Sequence, residues 1–357
     1  MGCALTLTPV AGRGQIPWDD SNWDVAAQES RTGRYLGREA FYMAGGTAWF
    51  DDADFRDGVI EFDIAAPADQ GFHGLRFRAV DRTNHEYVYL RPHLSGKPDA
   101  VQYTPVNRGL SSWQLYSDAR FVLPATLLPD RWLHVRVAIE GRRMEMTIDG
   151  QTLVFPELQR EPAAGGLGLS ASGGGAWFAN VVIRADAEPD FIDEPGAEAP
   201  PVPADLVTRF RVSEPFAEEV VDGVTELPAY MRSDLQWAPL PVSVRGIADL
   251  AQLRTRTPEN NTVFARLALE VMSPTVVRLR LGFSDRVRVF VDGRQVFAAS
   301  DVYATRDYRF LGTVGLFDEL YLPLEAGETE VWFAVSEDFG GWGLIVEIPP
   351  GQGVVVR

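Results

Sequence analysis

The sequence predicts an all-β protein made of two antiparallel β-sandwich (jelly-roll) domains. Short segments in which apolar and polar residues alternate recur through both halves of the chain, as expected of strands with one buried face. Gly, Pro and Asp separate these segments, a spacing typical of sandwiches and jelly rolls. An acidic, proline-rich segment divides the 357 residues into two parts of domain size.

The strand candidates lie in both halves. The alternating segments are 59–64, 73–79, 85–91, 133–139 and 144–150 in the first half, and 263–271, 276–283, 287–293 and 330–335 in the second. An Asp-Gly pair stands between apolar segments at 149–150 and again at 292–293. Because Asp-Gly tolerates the positive φ angles of a two-residue turn, both pairs predict β-hairpins. The best helical candidate is short, at 246–254.

The predicted linker is residues 186–205. It holds five prolines, seven acidic residues and no basic residue. Proline fixes φ and the like charges repel one another, so the segment is expected to be extended and rather stiff. The predicted domains are therefore residues 1–185 and 206–357.

Composition excludes several functional classes. The formal net charge of −17 argues against nucleic acid as the main partner. Cys3 is the single cysteine, which excludes an intramolecular disulfide and a multi-thiolate zinc site.

Cys3 between Gly2 and Ala4 resembles the lipidation site of a bacterial lipoprotein, and this predicts a periplasmic or extracellular protein anchored through Cys3. A vector-derived start next to an ordinary thiol is the alternative. No apolar run is long enough to predict a membrane-spanning helix.

The first half also resembles a known fold. Segments 54–64, 74–91, 131–155 and 165–183 resemble, in their order, the concanavalin A-like lectin/glucanase jelly rolls, in particular the laminin-G-like and 3-keto-disaccharide hydrolase branches. Residues 260–348 resemble the galactose-binding-like jelly rolls. These resemblances imply a fold far more than an activity. They also imply room for a structural calcium ion, with Asp285 and Asp301 as scattered loop candidates; no other cofactor is predicted.

One departure weakens the glucanase part of the resemblance. Laminarinase-type glucanases place their carboxylates on one strand as Glu-x-Asp-x-x-Glu or Glu-x-Asp-x-Glu. Here Glu61 and Asp63 match the first two positions, but Ala65 and Ala66 follow. Glucanase chemistry of that kind is therefore not expected.

Residues 84–103 are crowded with hydrogen-bonding side chains for a strand. Alternation places Tyr87, Tyr89 and Arg91 on one face, away from the apolar residues between them. Arginine forks suit sugar hydroxyls or carboxylates, and tyrosine rings suit the C–H face of a sugar. If neighbouring strands present their arginines and carboxylates on the same side, the result is a glycan-binding face. The predicted substrate-binding residues are Arg76, Arg78, Tyr87, Tyr89, Arg91, Gln102, Tyr103 and Trp113, and the candidate acid/base groups are Glu61, Asp63 and His93.

Ordinary structural roles compete with this hypothesis. Arg76 and Arg78 would also fit cross-strand ion pairs with Glu61 and Asp63, worth about 0.2–1 kcal/mol each. Trp342, flanked by glycines, fits either a ligand contact or a plug at the end of a sandwich. His85, His93 and His134 do not form a recognisable metal-ligand set.

The predicted function is recognition of a glycan, or of another polyhydroxylated small molecule, outside the cytoplasm. Hydrolysis or cleavage of that ligand on the polar sheet face, as in a glycoside hydrolase, is left open. The alternatives are a non-catalytic lectin-like module and a protein-binding or adhesive module.

Overall fold

The computed structural model describes residues 15–19, 22–192, 205–243 and 245–357. Their contacts divide the chain into two compact units: unit 1 is Met1–Tyr103 with Val122–Glu198, and unit 2 is Thr104–Phe121 with Ala199–Arg357. Antiparallel strands dominate both units, and the described residues include one short α-helix, α1 (Ala229–Ser233). The predicted all-β class is confirmed. No helix in this described part of the chain could cross a membrane.

Twelve strands lie between Asp24 and Ala185. They are β1 (Asp24–Tyr35), β2 (Arg38–Phe55), β3 (Gly58–Ala65), β4 (Phe72–Asp81), β5 (Asn84–Leu90), β6 (Val101–Asn107), β7 (Leu110–Ser111), β8 (Val122–Leu123), β9 (Leu133–Glu140), β10 (Arg143–Ile148), β11 (Gln151–Phe155) and β12 (Gly165–Ala185). In unit 1 the strand order is β11-β10-β9-β3-β12-β4-β5-β6. β2 pairs with β12, and β1 pairs with β2.

The long strand β12 organises unit 1. Its first part, up to Ser172, pairs with β4, and its later part, from Trp177 onward, pairs with β3. An irregularity in the pairing with β2 separates the two parts, between Ala171 and Gly175. β3 and β4 therefore follow one another along β12 and are not paired with each other. The glycan-binding face was predicted on the condition that these strands are neighbours in one sheet, and that condition is not met.

The core of unit 1 is built from the apolar positions that alternation predicts. Phe62 on β3, Val137 on β9, Phe77 on β4 and Val88 on β5 are fully buried. Burial of side chains of this size stabilises the fold by about 1.5–3 kcal/mol each. The same strands carry polar side chains on the opposite face, where a ligand could bind.

Unit 2 contains two further sheets. Its remaining strands are β13 (Arg209–Val212), β14 (Ala238–Pro241), β15 (Ala248–Asp249), β16 (Thr262–Val271), β17 (Thr275–Ser284), β18 (Arg286–Val291), β19 (Arg294–Ser300), β20 (Asp318–Leu324), β21 (Gly327–Ser336), β22 (Gly343–Glu347) and β23 (Val354–Val356). One sheet has the order β14-β13-β16-β21-β18-β19, with β23 on β16, and the other has the order β15-β22-β17-β20. Trp342 lies fully buried in the core between apolar residues, with Nε1 donating to Val335 O at 2.9 Å, as a plug would.

Both predicted hairpins are confirmed. Asp149 and Gly150 have φ angles of 46° and 82° and join β10 to β11, and Asp292 and Gly293 have φ angles of 48° and 89° and join β18 to β19. The predicted helix at 246–254 is wrong. β15 pairs with β22 there and is followed by a single 3-10 turn, in which Ala251 N donates to the side chain of Asp249.

The first residues of the predicted linker lie against unit 1. Ile192 N donates to Glu145 Oε1 at 2.9 Å, and the guanidinium of Arg143 lies 4.4 Å from the ring centre of Phe191. Residues 193–204 of the linker and the predicted lipidation residue Cys3 lie outside the described residues.

Candidate functional site

Five of the predicted binding residues come together on one side of unit 1. We call Arg76, Tyr87, Tyr89, Arg91 and Gln102 the polar row. Tyr89 donates its hydroxyl proton to Gln102 Oε1 at 2.8 Å, and Arg91 Nη2 donates to Tyr89 Oη at 3.1 Å and to the same Gln102 oxygen. The guanidinium of Arg76 lies 4.1 Å from the ring centre of Tyr87. The ring centres of Tyr87 and Tyr89 lie 4.8 Å apart, so the five side chains lie on one face.

Four of the five side chains of the polar row are closed to solvent. Tyr87, Tyr89, Arg91 and Gln102 are 1–7% exposed, and Arg76 is half-buried. Burial raises the pKa of Tyr89, which keeps the phenol neutral. Most hydrogen-bonding capacity in the row is used within it or by neighbouring backbone, such as Asp99 O, which accepts from Arg91 Nη1 at 2.7 Å. A buried network of this kind rigidifies a fold.

Arg78 does not share the face of Arg76. It has a φ angle of 51° at an irregularity in the pairing of β4 with β5, between Phe77 and Asp81. An extra residue in a strand reverses the alternation that follows it, so the expectation that the two arginines project together is wrong. Arg78 is buried and donates to Asp57 Oδ1 at 2.8 Å and to Arg56 O at 2.5 Å.

Tyr103 and Trp113 also lie away from the polar row. Tyr103 is fully buried and donates to Glu86 Oε2 at 2.7 Å, on the face opposite Gln102. Burial raises the pKa of Glu86. Trp113 belongs to unit 2, where it contacts Tyr303 and Phe339. His93 lies in the 3-10 turn Pro92–Leu94 that follows β5, and its Nδ1 accepts a hydrogen bond from Gly71 N at 3.3 Å.

The two candidate carboxylates lie on β3 and already have partners. Asp63 binds Arg38, accepts from Asn180 Nδ2 at 2.5 Å and contacts His134 Nδ1 at 2.9 Å. Glu61 accepts from Arg184 Nη2 at 2.7 Å. Neither pairs with Arg76 or Arg78, so the cross-strand ion pairs weighed from the sequence are absent from the described contacts.

A second surface of unit 1 was missed by the sequence analysis. We call Tyr35, Tyr42, Trp132 and Trp177, with Arg31 and Arg38, the aromatic platform. Tyr35 and Trp177 stack with ring centres 4.9 Å apart and planes 4° from parallel. Trp132 meets Tyr35 edge-on at 6.0 Å, and Tyr42 lies 5.2 Å from Trp177. The four rings are half-buried and lie on the face of the sheet opposite the core.

Two arginines extend the aromatic platform. The Arg31 guanidinium lies 3.9 Å from the ring centre of Tyr42, and that of Arg38 lies 5.2 Å from the ring centre of Trp132. Because Arg38 also binds Asp63, the rings are continuous with the polar group of Asp63, His134 and Asn180 described above. The surface therefore combines flat apolar rings with donors and acceptors in fixed positions.

Three separate parts of the chain build the aromatic platform. The β1–β2 hairpin turns at Leu36 and Gly37, both at positive φ, and its register sets Arg31 opposite Tyr42. β12 then pairs with β2 so that Trp177 lies opposite Tyr42. Residues 38–43 read REAFYM and show no period-two alternation that could have indicated this face. The pairing of β2 with β12, more than a hundred residues away, left no local signal.

The described residues offer little to a metal ion. No group of three or more His, Cys, Asp or Glu among them could hold one. Of the calcium candidates, Asp285 accepts backbone hydrogen bonds from Asp338 and Phe339, and Asp301 pairs with Arg306.

Comparisons with known proteins give weak likenesses. No family model matches the chain, and no curated protein matches it. Among solved structures, the carbohydrate-binding module CBM66 from Bacillus subtilis is 16% identical, with a TM-score of 0.33 over 45% of this chain and 93% of that chain. A Bacillus licheniformis beta-glucanase is 12% identical, with a TM-score of 0.33 over 48% and 98%. A putative glycosyl hydrolase from Parabacteroides distasonis is 12% identical, with a TM-score of 0.32 over 48% and 98%. At these values the likenesses assign neither a family nor a function to this chain.

Proposed function

We propose that unit 1 is a glycan-binding module whose binding surface is the aromatic platform, working outside the cytoplasm. One observation carries the proposal: four half-buried rings and two guanidinium groups stack together on the sheet face opposite the core. Binding sites for small molecules usually combine aromatic surface with a few fixed polar groups, and this surface has both.

The chemistry of the aromatic platform suits a sugar. A flat ring packs against the C–H face of a pyranose, while guanidinium, imidazole and amide groups donate to its hydroxyls. The side chains of Arg31 and His134 are 49% and 59% exposed, so a ligand can reach both, although Arg31 pairs with Glu29 and His134 with Asp63. Because the rings already hold one another in place, little conformational entropy remains to be lost on binding.

The polar row is a weaker candidate for the binding surface. Its tyrosines, Arg91 and Gln102 are buried and bonded to one another. A ligand would have to displace those hydrogen bonds, and each buried group left unpaired costs about 1–3 kcal/mol.

We propose that unit 1 binds a glycan and does not cleave it. Asp63 is 4% exposed and has three partners, and Glu61 is paired with Arg184. A general acid or base must reach the substrate and exchange a proton with it. Neither carboxylate is placed to do so without first leaving its partners.

Calorimetry after a glycan-array screen of neutral and acidic oligosaccharides tests the proposal. We expect Trp177→Ala and Trp132→Ala to weaken binding of the strongest array ligand at least about 10-fold, equivalent to about 1.4 kcal/mol. Trp177→Phe should retain most of the affinity because it retains a ring. The matched control is Tyr230→Ala, an exposed aromatic of unit 2.

Three other results would favour a different function or a different binding site. A blank array together with capture of a protein partner that Trp177→Ala abolishes would favour a protein-binding module, since Trp, Tyr and Arg are also typical of protein interfaces. Release of a shorter sugar by the wild-type protein, lost in Asp63→Asn, would show catalysis. Full-strength sugar binding by both tryptophan variants would refute the platform as the site.

A further inference from the structure

We propose that unit 2 carries a second, independent binding site for a neutral sugar, formed by Trp113, Tyr303 and Phe339. We call these three side chains the aromatic triad. Their ring centres lie 6.2 Å (Trp113 to Tyr303), 6.0 Å (Trp113 to Phe339) and 5.5 Å (Tyr303 to Phe339) apart. Tyr303 is 41% exposed and Phe339 is 55% exposed, so the triad presents apolar ring surface to solvent.

Gln114 holds together the segments that carry the three rings. Its backbone N–H donates to Gly340 O at 2.9 Å, and its carbonyl accepts from Val314 N at 3.0 Å. Its side chain donates to Leu311 O at 2.7 Å and accepts from Ser284 Oγ at 2.8 Å. Gln114 is fully buried and follows Trp113 directly in the chain. The triad is therefore fixed before any ligand arrives.

Asp285 also holds the segment that bears Phe339 in place. Asp285 Oδ2 accepts from Asp338 N at 2.8 Å and from Phe339 N at 3.0 Å. Gly340 follows at a φ angle of 107°, and a Cβ there would clash with the side chain of Gln114. Only glycine fits at this point, which allows the backbone to turn tightly behind the ring of Phe339.

A polar side chain next to Phe339 in the chain favours a sugar over a purely apolar ligand. Asp338, the neighbour of Phe339, has a carboxylate that is 54% exposed; it accepts from Arg286 Nη1 at 2.7 Å and from Asn261 Nδ2 at 3.2 Å. An ionised carboxylate retains free acceptor positions for sugar hydroxyls. The site is assigned to neutral sugars because the exposed carboxylate disfavours anionic ones, although Arg286 offsets part of its charge.

Titration calorimetry on the full-length protein tests the second site, with cello-, xylo-, laminari- and manno-hexaose as separate probes. Five proteins are compared: the wild type, the Trp177→Ala variant, which disables the aromatic platform, and that variant with Phe339→Ala, with Tyr303→Ala or with Tyr308→Ala added. Tyr308 is 81% exposed on the segment that bears Tyr303 and lies outside the triad, so it is the matched control. Intrinsic tryptophan emission, to which Trp113 contributes, is followed in parallel.

We expect the Trp177→Ala protein to bind at least one hexaose and to change its tryptophan emission on binding. Adding Phe339→Ala or Tyr303→Ala should weaken that binding at least 10-fold, whereas adding Tyr308→Ala should not change it. Retained affinity in both triad variants would overturn the second site, and so would no binding of any of the four probes. Wild-type affinity in Trp177→Ala that falls with Phe339→Ala would refute the aromatic platform and support the triad.

Discussion

Asn107 and Asp249 are hydrogen-bonded in unit 2, with Asn107 Nδ2 donating to Asp249 Oδ2 at 3.1 Å, although 142 residues separate them in the chain. Ser112 Oγ donates to the same carboxylate oxygen at 3.1 Å, and Ala251 N donates to Oδ1 at 3.1 Å. Asp249 is fully buried. Residues 104–121 are thus part of the core of unit 2, although the chain before and after them, up to Tyr103 and from Val122, belongs to unit 1.

Replacement of this carboxylate should destabilise the protein. In Asp249→Ala the donors of Asn107, Ser112 and Ala251 lose their acceptor inside the fold. We expect the free energy of unfolding to fall by about 2–4 kcal/mol, measured by urea denaturation at pH 7. The control is Asp307→Ala, an exposed carboxylate bonded to Arg309, which should change the value by less than about 0.5 kcal/mol. Equal stability of the two variants would contradict the anchoring role.

The same residue should make stability depend on pH. Burial raises the pKa of Asp249 to about 6, even though the hydrogen bonds from Ser112 and Asn107 act to lower it. The folded protein therefore holds the proton more tightly than the unfolded chain, whose carboxyl titrates near 3.8. Between those values the folded state binds more protons, so the free energy of unfolding falls as pH rises from about 3.8 to about 6.

Asp249→Asn cannot titrate and should remove that dependence. Relative to the variant, the wild-type protein should lose about 3 kcal/mol of stability across this pH range. Urea denaturation of both proteins at pH 4, 5, 6 and 7 measures the difference. Parallel profiles would show that Asp249 does not titrate in this way.

His73 should make the protein sensitive to acid. It lies among Ile64, Leu90 and Leu133 on the core face of β4, and neither ring nitrogen has a hydrogen-bond partner among the described residues. Burial lowers the pKa of His73 to about 4, and the positive charge of His93 acts in the same direction. The unfolded chain therefore binds more protons between about pH 4 and 6.5, and the free energy of unfolding falls as pH drops through that range.

His73→Leu should reduce this loss. The variant keeps an apolar side chain at an apolar position and has no imidazole to protonate. We expect the stability difference between pH 6.5 and pH 4 to shrink by about 3 kcal/mol, measured by urea denaturation. Some acid loss should remain, because burial also lowers the pKa of His85, to about 3. An unchanged difference would rule out His73 as a source of acid sensitivity.

The sequence predicted the features that are set by residues close together in the chain, namely the strands and the two hairpins. Alternation located strands in both halves, and Asp-Gly located both hairpins, because side-chain direction and turn geometry are set within a few residues. The prediction for Arg78 failed at a left-handed residue that no glycine marks. Such an irregularity in strand pairing depends on which strands lie next to each other, and the local sequence does not indicate this.

The candidate site depends on contacts between distant segments. The sequence analysis assigned Trp113 to the polar face of the first half, whereas its contacts are with Tyr303 and Phe339 in unit 2. The aromatic platform requires Trp177 of β12 to lie opposite Tyr42 of β2. Period-two alternation gives the face of each strand but not the order of strands in the sheet, so neither surface could be assembled from the sequence.

Replacing Arg91 or Arg31 by alanine should separate folding stability from sugar binding, because Arg91 lies in the polar row and Arg31 on the aromatic platform. Arg91 is buried in the polar row, where it donates to Tyr89, Gln102 and Asp99 O. Arg91→Ala should lower the free energy of unfolding by about 2–3 kcal/mol, because it leaves buried acceptors without a donor. It should leave sugar affinity unchanged.

Arg31→Ala should weaken sugar binding and leave folding stability nearly unchanged. Arg31 is half-exposed on the aromatic platform, where its guanidinium covers the ring of Tyr42. Its removal should cost less than about 0.5 kcal/mol of folding stability, as is usual for exposed side chains. It should weaken sugar binding about 5- to 10-fold, since a guanidinium contact with a ligand is typically worth about 1 kcal/mol. Urea denaturation and calorimetry on the same two variants measure both quantities. If Arg91→Ala abolished binding at unchanged stability while Arg31→Ala had no effect, the ligand would bind at the polar row, as alternation along residues 85–91 first indicated.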